Sequence, residues 1–123
     1  MLVKEVEVEV YTRKVFKTGG SLGIYLPTRV GEYYLNRNIR TLYAYLDNDS
    51  KSIIYTPKVL LLDRVQRVRI QVQSVNLYSK KSKAYYRISI PKDFCIELDL
   101  HSGDLVQLKF YPEYGIIKIR KIE

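Results

Sequence analysis

The stretch Lys17-Thr18-Gly19-Gly20-Ser21-Leu22-Gly23-Ile24-Tyr25-Leu26-Pro27 decides how the rest of the chain is read. Gly19, Gly20 and Gly23 give the backbone access to positive φ, so a tight turn is expected. Apolar residues then alternate at Leu22, Ile24 and Leu26, the period of a strand with one buried face. Pro27 closes the stretch. It has no N–H for a ladder and a fixed φ that suits the opening of a helix, so it marks a switch from strand to helix. The same ending returns 64 residues later as Ile88-Ser89-Ile90-Pro91.

Sliding the chain on itself by 64 residues places Val6-Glu7-Val8-Glu9 on Ile70-Gln71-Val72-Gln73, in the same apolar-polar phase, and Lys17 on Lys81. After a one-residue slip Leu35 meets Leu100 and Asn38 meets Gly103. A late alternating strand follows in each half, Thr41 to Leu46 and Leu105 to Phe110, and then a turn and a second short strand. The chain therefore reads as two tandem β-β-α-β-β units, residues 1–57 and 67–123, joined by 58–66. The connection carries Leu60, Leu61 and Leu62, which are expected to pack against the body. Each unit is too small to bury both faces of its strands, so the two are expected to share one core. The helices should bury Val30, Tyr33 and Tyr34 in the first unit and Phe94, Cys95 and Leu98 in the second. Their ends are expected near Asn38 and at Gly103, residues that tolerate a left-handed backbone.

Across 123 residues, 21 Lys and Arg stand against 13 Asp and Glu, a formal net charge of +8 that favours polyanionic partners, nucleic acid first. The longest apolar runs are too short to cross a bilayer, and acidic residues interrupt Met1 to Val10 where a secretory signal needs a continuous apolar run. An intracellular, cytoplasmic protein without membrane contact is the expectation. The single cysteine, Cys95, excludes an intrachain disulfide and reads as a small buried hydrophobe. The single histidine, His101, lies in a Leu-His-Ser-Gly-Asp turn with no nucleophile-base constellation around it, and one histidine with one cysteine makes a poor metal site. No enzyme, cofactor or small-molecule substrate is expected. Asp47-Asn48-Asp49 lacks the glycine and terminal glutamate of a calcium loop and reads as a hairpin turn.

Charge is concentrated at matching places. Arg13, Lys14 and Lys17 lead into the first glycine turn, and Lys80, Lys81 and Lys83 occupy the second, with Arg87 on its descending strand. No acidic residue occurs from Tyr11 to Arg29 or from Val75 to Lys92. One such run reads as a solvated face, but two at equivalent positions would form a basic surface able to follow duplex phosphates. Gly20 exposes backbone N–H groups and Ser21 adds a hydroxyl. Alternation turns Tyr25 and Arg87 away from the core, and arginine in a groove can read guanine. Arg29 and Lys92, just past the prolines, are expected near phosphates. Tyr85 and Tyr86 serve strand packing or stack on single-stranded bases.

The pattern K-x-G-x-S-L-x-I-x-L-P, a short helix, then L-x-x-G-D-x-V and two strands resembles the swapped-hairpin DNA-binding domains of the AbrB/SpoVT/MazE superfamily. Lys17, Gly19, Ser21, Leu22, Ile24, Leu26 and Pro27 carry the first motif, and Leu100, Gly103, Asp104 and Val106 the second. Asn38-Ile39 stands where Gly-Asp is expected in the first copy, and Ser79 to Tyr86 replaces the glycine-serine turn in the second. The resemblance implies a mainly β (α+β) fold in which two tandem units exchange hairpins to close one small barrel, a single-chain pseudo-dimer. Exchange between two chains, giving a homo-oligomer, is the alternative. It implies a double-stranded DNA-binding transcriptional regulator, nucleoid-associated, acting through Arg13, Lys14, Lys17, Gly20, Ser21, Tyr25, Arg29, Lys80, Lys81, Lys83, Arg87 and Lys92. Two other readings stay open. One is an antitoxin-like protein-interaction module, disfavoured because the ending Lys118 to Glu123 has no acidic tail; the other is a non-specific nucleoid or RNA-binding protein.

Overall fold

The computed structural model describes residues 6–76 and 82–122. Its elements run β1 (Glu9–Lys14), β2 (Phe16–Thr18), β3 (Ser21–Leu26), α1 (Thr28–Asn36), β4 (Thr41–Asp47), β5 (Ser52–Thr56), β6 (Gln66–Arg69), β7 (Gln71–Asn76), β8 (Ser82–Ile90), α2 (Lys92–Leu98), β9 (Leu105–Tyr111) and β10 (Ile116–Lys121). The fold is mainly β, with two sheets. A six-stranded sheet has the order β1-β9-β10-β5-β4-β6 and a four-stranded one the order β2-β3-β8-β7, with every pairing antiparallel.

The closed barrel expected from the sequence is not what these strands make. Each sheet has two ends, β1 and β6 in the larger and β2 and β7 in the smaller, and no ladder joins one end to another among the described residues. The chain instead turns from one sheet into the other at two corners. Val15, between β1 and β2, donates its N–H to the Asp104 carbonyl (2.8 Å) and accepts from the Gly103 N–H (2.7 Å). Ile70, between β6 and β7, donates to the Arg40 carbonyl (2.8 Å). Both corner side chains are buried, so the turn is made within one residue and the sheets face each other across a common core.

Both strand orders read the same backwards when β1 to β5 are exchanged with β6 to β10. The registers carry a two-fold relation as well. Ile24 pairs with Ile88 and Ile54 with Lys118, partners 64 residues apart in both cases, so a two-fold axis runs through the middle of each sheet. Upstream of the hairpins the spacing is 55, since Val15 and Ile70 turn equivalent corners, and the β7–β8 hairpin is therefore nine residues longer than β2–β3. The match of Val6-Glu7-Val8-Glu9 to Ile70-Gln71-Val72-Gln73 does not survive this shift.

Burial follows the strand period where strands are central. Leu42, Ile53, Tyr55, Val106, Leu108, Phe110, Ile117 and Ile119 from one sheet meet Ile24, Leu26, Tyr86, Ile88 and Ile90 from the other. The hydroxyl of Tyr55, inside this layer, donates to the Ser89 carbonyl (3.0 Å) and ties the sheets together. Burial raises its pKa well above the ordinary tyrosine value. Pro27 and Pro91 stand immediately before α1 and α2 with extended ψ, as the switch from strand to helix requires. Val30 and Tyr34 of α1 and Phe94 and Cys95 of α2 are buried, and burial pushes the Cys95 thiol up to about 11.

Three local expectations are corrected. On β1 the outward residue is Val10, 53% exposed, whereas Glu9, Tyr11 and Arg13 pair with buried Phe110, Leu108 and Val106. Glu9 accepts from the Tyr11 hydroxyl and lies 3.3 Å from Arg29, which holds this polar face over the rim of an edge strand. The connecting segment does not pack its apolar side chains: Leu61 is fully exposed, and Leu62 and Val59 are exposed as well. The left-handed residue after α2 is Asp99 (φ 54°), the counterpart of Asn38 (φ 55°), and Gly103 (φ 96°) serves the next turn.

That turn is fastened by Asp104, whose Oδ2 accepts from the His101 N–H (2.8 Å) with Lys121 Nζ at 3.6 Å. The backbone hydrogen bond, and the nearby cations after it, lower the Asp104 pKa, and the hydrogen bond from Ser50 does the same for Asp47. A folded-state pKa below the unfolded one means stability that is present above the ordinary carboxylate value and is lost as pH falls through the folded pKa. The melting temperature should therefore fall on acidification below about pH 4, and Asp104→Asn should flatten that dependence. An unchanged acid limb in the variant would remove Asp104 from the effect.

Candidate nucleic-acid interface

The four-stranded sheet turns one face to the core and the other to solvent. Register and alternation place Phe16 and Thr18 of β2, Ser21, Gly23 and Tyr25 of β3, Lys83, Tyr85, Arg87 and Ser89 of β8, and Gln71 and Gln73 of β7 on the outer side. None of the four strands contains an aspartate or glutamate. The two-fold axis between Ile24 and Ile88 passes through the centre of this face.

Two clusters order the surface. Phe16 stacks on Tyr25 with centroids 4.6 Å apart, and Tyr85 meets Tyr25 edge-on at 6.3 Å. Gly23 is explained by this stack more than by turn geometry. A Cβ there would lie 2.9 Å from the Ile88 carbonyl oxygen and 3.5 Å from the Phe16 ring, whereas of the turn glycines only Gly19 needs positive φ (59°). Across the axis, Arg87 Nε donates to Gln71 Oε1 (2.5 Å), which orients the guanidinium and leaves its terminal N–H groups without a partner among the described residues. Lys83 Nζ sits 5.5 Å from the Tyr85 ring centroid. Tyr25 and Tyr85 are about 40% exposed, open enough to touch a ligand.

The expected site residues divide on this frame. Tyr25, Lys83 and Arg87 share the outer face, Ser21 lies at its edge, and Gly20 is exposed in the β2–β3 turn. Lys92 lies beside them at a corner where Arg67 and Arg69 also gather. Lys17 pairs with Leu22, in the opposite phase to Arg87, so it leaves the sheet on the other side. Arg13 and Lys14 belong to β1 in the larger sheet; Arg13 lies over the Tyr11 ring (5.5 Å) and Lys14 pairs with Leu105 on the solvent side. Arg29 is engaged by Glu9. Lys80 and Lys81 lie outside the described residues. Tyr86, one of the pair offered for stacking, is buried against α1.

Arg67, Arg69 and Gln71 escape the sequence reading, although a signal is present. No acidic residue occurs between Asp63 and Asp93, so the acid-free run is much longer than the segment from Val75 to Lys92. The described residues hold no group of three acidic, histidine or cysteine side chains arranged to bind a metal, and no helix among them is long and apolar enough to cross a membrane. Comparison with known proteins found no matching family model, curated protein or solved structure.

Proposed function

We propose that the chain is a duplex-DNA-binding regulator of the AbrB/SpoVT type, in which two tandem units exchange strands in one pseudo-dimer and present the outer face of the four-stranded sheet to DNA. The observation that carries this reading is an acid-free face centred on a two-fold axis, with an oriented arginine beside that axis. The major groove admits a two-stranded antiparallel ribbon, and β3–β8 is such a ribbon at the middle of the sheet. A protein dyad placed on the DNA dyad lets both halves meet equivalent phosphates. Because Arg87 stands where the first half has Gly23, the operator should depart from a perfect palindrome.

Arg87 separates reading from attachment. A bidentate arginine-guanine contact gives about 1–3 kcal/mol of discrimination, and a phosphate contact almost none. Arg87→Ala is expected to weaken binding to a selected site by about 5- to 150-fold while changing random-sequence affinity much less. Equal losses on both DNAs would assign Arg87 to the backbone. For the longer hairpin, replacing Lys80, Lys81 and Lys83 by alanine should reduce the slope of log K against log salt by up to about 0.9 for each phosphate that is no longer neutralised. An unchanged slope would make the hairpin an ordinary solvated turn.

The aromatic trio favours a second reading, single-stranded nucleic acid stacked on Tyr25 and Tyr85 with sequence tolerance. Competition between a duplex and its separated strands distinguishes the two. Preference for the strands, with loss of binding in Tyr25→Ala and Tyr85→Ala, would favour stacking.

A further inference from the structure

The two-fold relation makes it possible to compare each corner of the molecule with its counterpart, and one pair of corners differs sharply. Phe16, Tyr25 and Tyr85 fill the first with their rings. Their equivalents across the axis are Gln71, Ser89 and Ser21, and at that second corner the missing volume is an open groove of about 230 Å³. Its rim holds Arg67, Arg69 and Lys92, whose counterparts are Thr12, Lys14 and Thr28. The exchange of rings for small polar groups and of threonines for cations occurs at a single place.

We infer that this groove is a phosphate-binding site, taking either a backbone phosphate of a duplex or the phosphate of a free nucleotide. Three cations around one concavity repel each other, and neither an aspartate nor a glutamate lines the groove. Arg67, Arg69 and Lys92 make no ion pair or side-chain hydrogen bond among the described residues, unlike Arg29 and Arg64, which are held by Glu9 and Glu97. Phosphate oxygens supply the missing acceptors, and arginine offers its donors in a fork that matches them. The uncharged lining is also suited. Arg87 occupies the Gln71 carboxamide oxygen and leaves its NH₂ to donate, while the Ser21 and Ser89 hydroxyls add two further donors. Tyr55 fixes the floor by donating to the Ser89 carbonyl from inside the core. The inference rests on the groove itself and stands apart from the duplex reading above.

The test follows backbone amide resonances of the full chain during titration with adenosine monophosphate and, separately, with a short duplex, comparing the native protein with Arg67→Gln/Arg69→Gln. Both arginines are exposed on an edge strand, so the variant should keep its melting temperature; Ser89→Tyr, which carries the ring of the other corner into the groove, is the second variant. Saturable shifts at Arg67 to Gln71 and at Ser89 with the mononucleotide, abolished in either variant, establish a free-phosphate site. Shifts there with the duplex alone, together with a salt slope reduced by about 0.9 for each arginine, establish a backbone phosphate. Groove amides that stay still with both ligands, or shifts unchanged in both variants, overturn the inference. Duplex binding with a silent groove would leave the proposed function standing and remove this site. Nucleotide in the groove with no duplex binding would do the reverse.

Discussion

Gly31→Ala is expected to destabilise the protein by about 3 kcal/mol, at the upper end of what inserting one methyl into a packed core costs, and to be rescued by Tyr86→Leu. Gly31 is buried in α1, where alanine would ordinarily gain about 1 kcal/mol in helix propensity. Here a Cβ would lie 2.1 Å from Cγ of the Tyr86 ring and 2.7 Å from its Cβ. Neither atom is the free end of a flexible chain, because Tyr86 sits in the middle of β8, so helix and sheet must separate. The other half shows the solution to the same packing problem. At the equivalent positions α2 offers Cys95 and β3 offers Leu22, so a larger helix residue meets a smaller strand residue. Tyr86→Leu alone should cost about 2 kcal/mol through the cavity it leaves. The double variant should then be more stable than the sum of the two losses predicts, with a coupling of about 2 kcal/mol in a denaturation cycle. Simple additivity would mean that Gly31 is there for a reason other than the ring.

That pair illustrates what the sequence makes legible and what it does not. Ile88-Ser89-Ile90-Pro91 announces its kinship with Ile24-Tyr25-Leu26-Pro27 because two independent constraints, one buried strand face and a proline at its end, act on the same few residues. The outward direction of Tyr25 and Arg87 follows from that alternation alone. Upstream, the constraint is weaker. An exposed hairpin accepts nine extra residues at little cost in loop closure, so the spacing changes from 64 to 55 with nothing in the pattern to mark it. Val6, Val8 and Val10 show a strand period correctly, but a period of two does not say which face is inside. On β1 the choice is made by Glu9, Tyr11 and Arg29, which satisfy one another over the rim. The same ambiguity misplaces Lys17, one position out of phase with Phe16, and the groove at Arg67 and Arg69 goes unseen because it is assembled from segments about 20 to 45 residues apart.

Separating the halves should abolish the folded monomer, the largest effect anticipated for this molecule. A chain of residues 1–62 retains α1 and only two ladders, β2–β3 and β4–β5; a chain of 63–123 retains α2 with β7–β8 and β9–β10. All four ladders that join these hairpins into sheets, β1–β9, β3–β8, β4–β6 and β5–β10, run between the halves. An isolated two-stranded hairpin is marginal in water, and the inner faces bearing Ile24, Tyr55, Ile88 and Ile119 would be exposed. Each half alone should give an unfolded circular dichroism spectrum or a homodimer that restores the missing ladders, and mixing the two should yield a 1:1 complex. Cutting the intact protein beside Leu61 supplies the contrast, because that residue is fully exposed and no ladder includes it. The nicked protein should stay folded, with a melting temperature that rises with protein concentration, since its halves are then held by mass action. A folded, protected monomer from residues 1–62 would show that the interleaved ladders do not hold the molecule together.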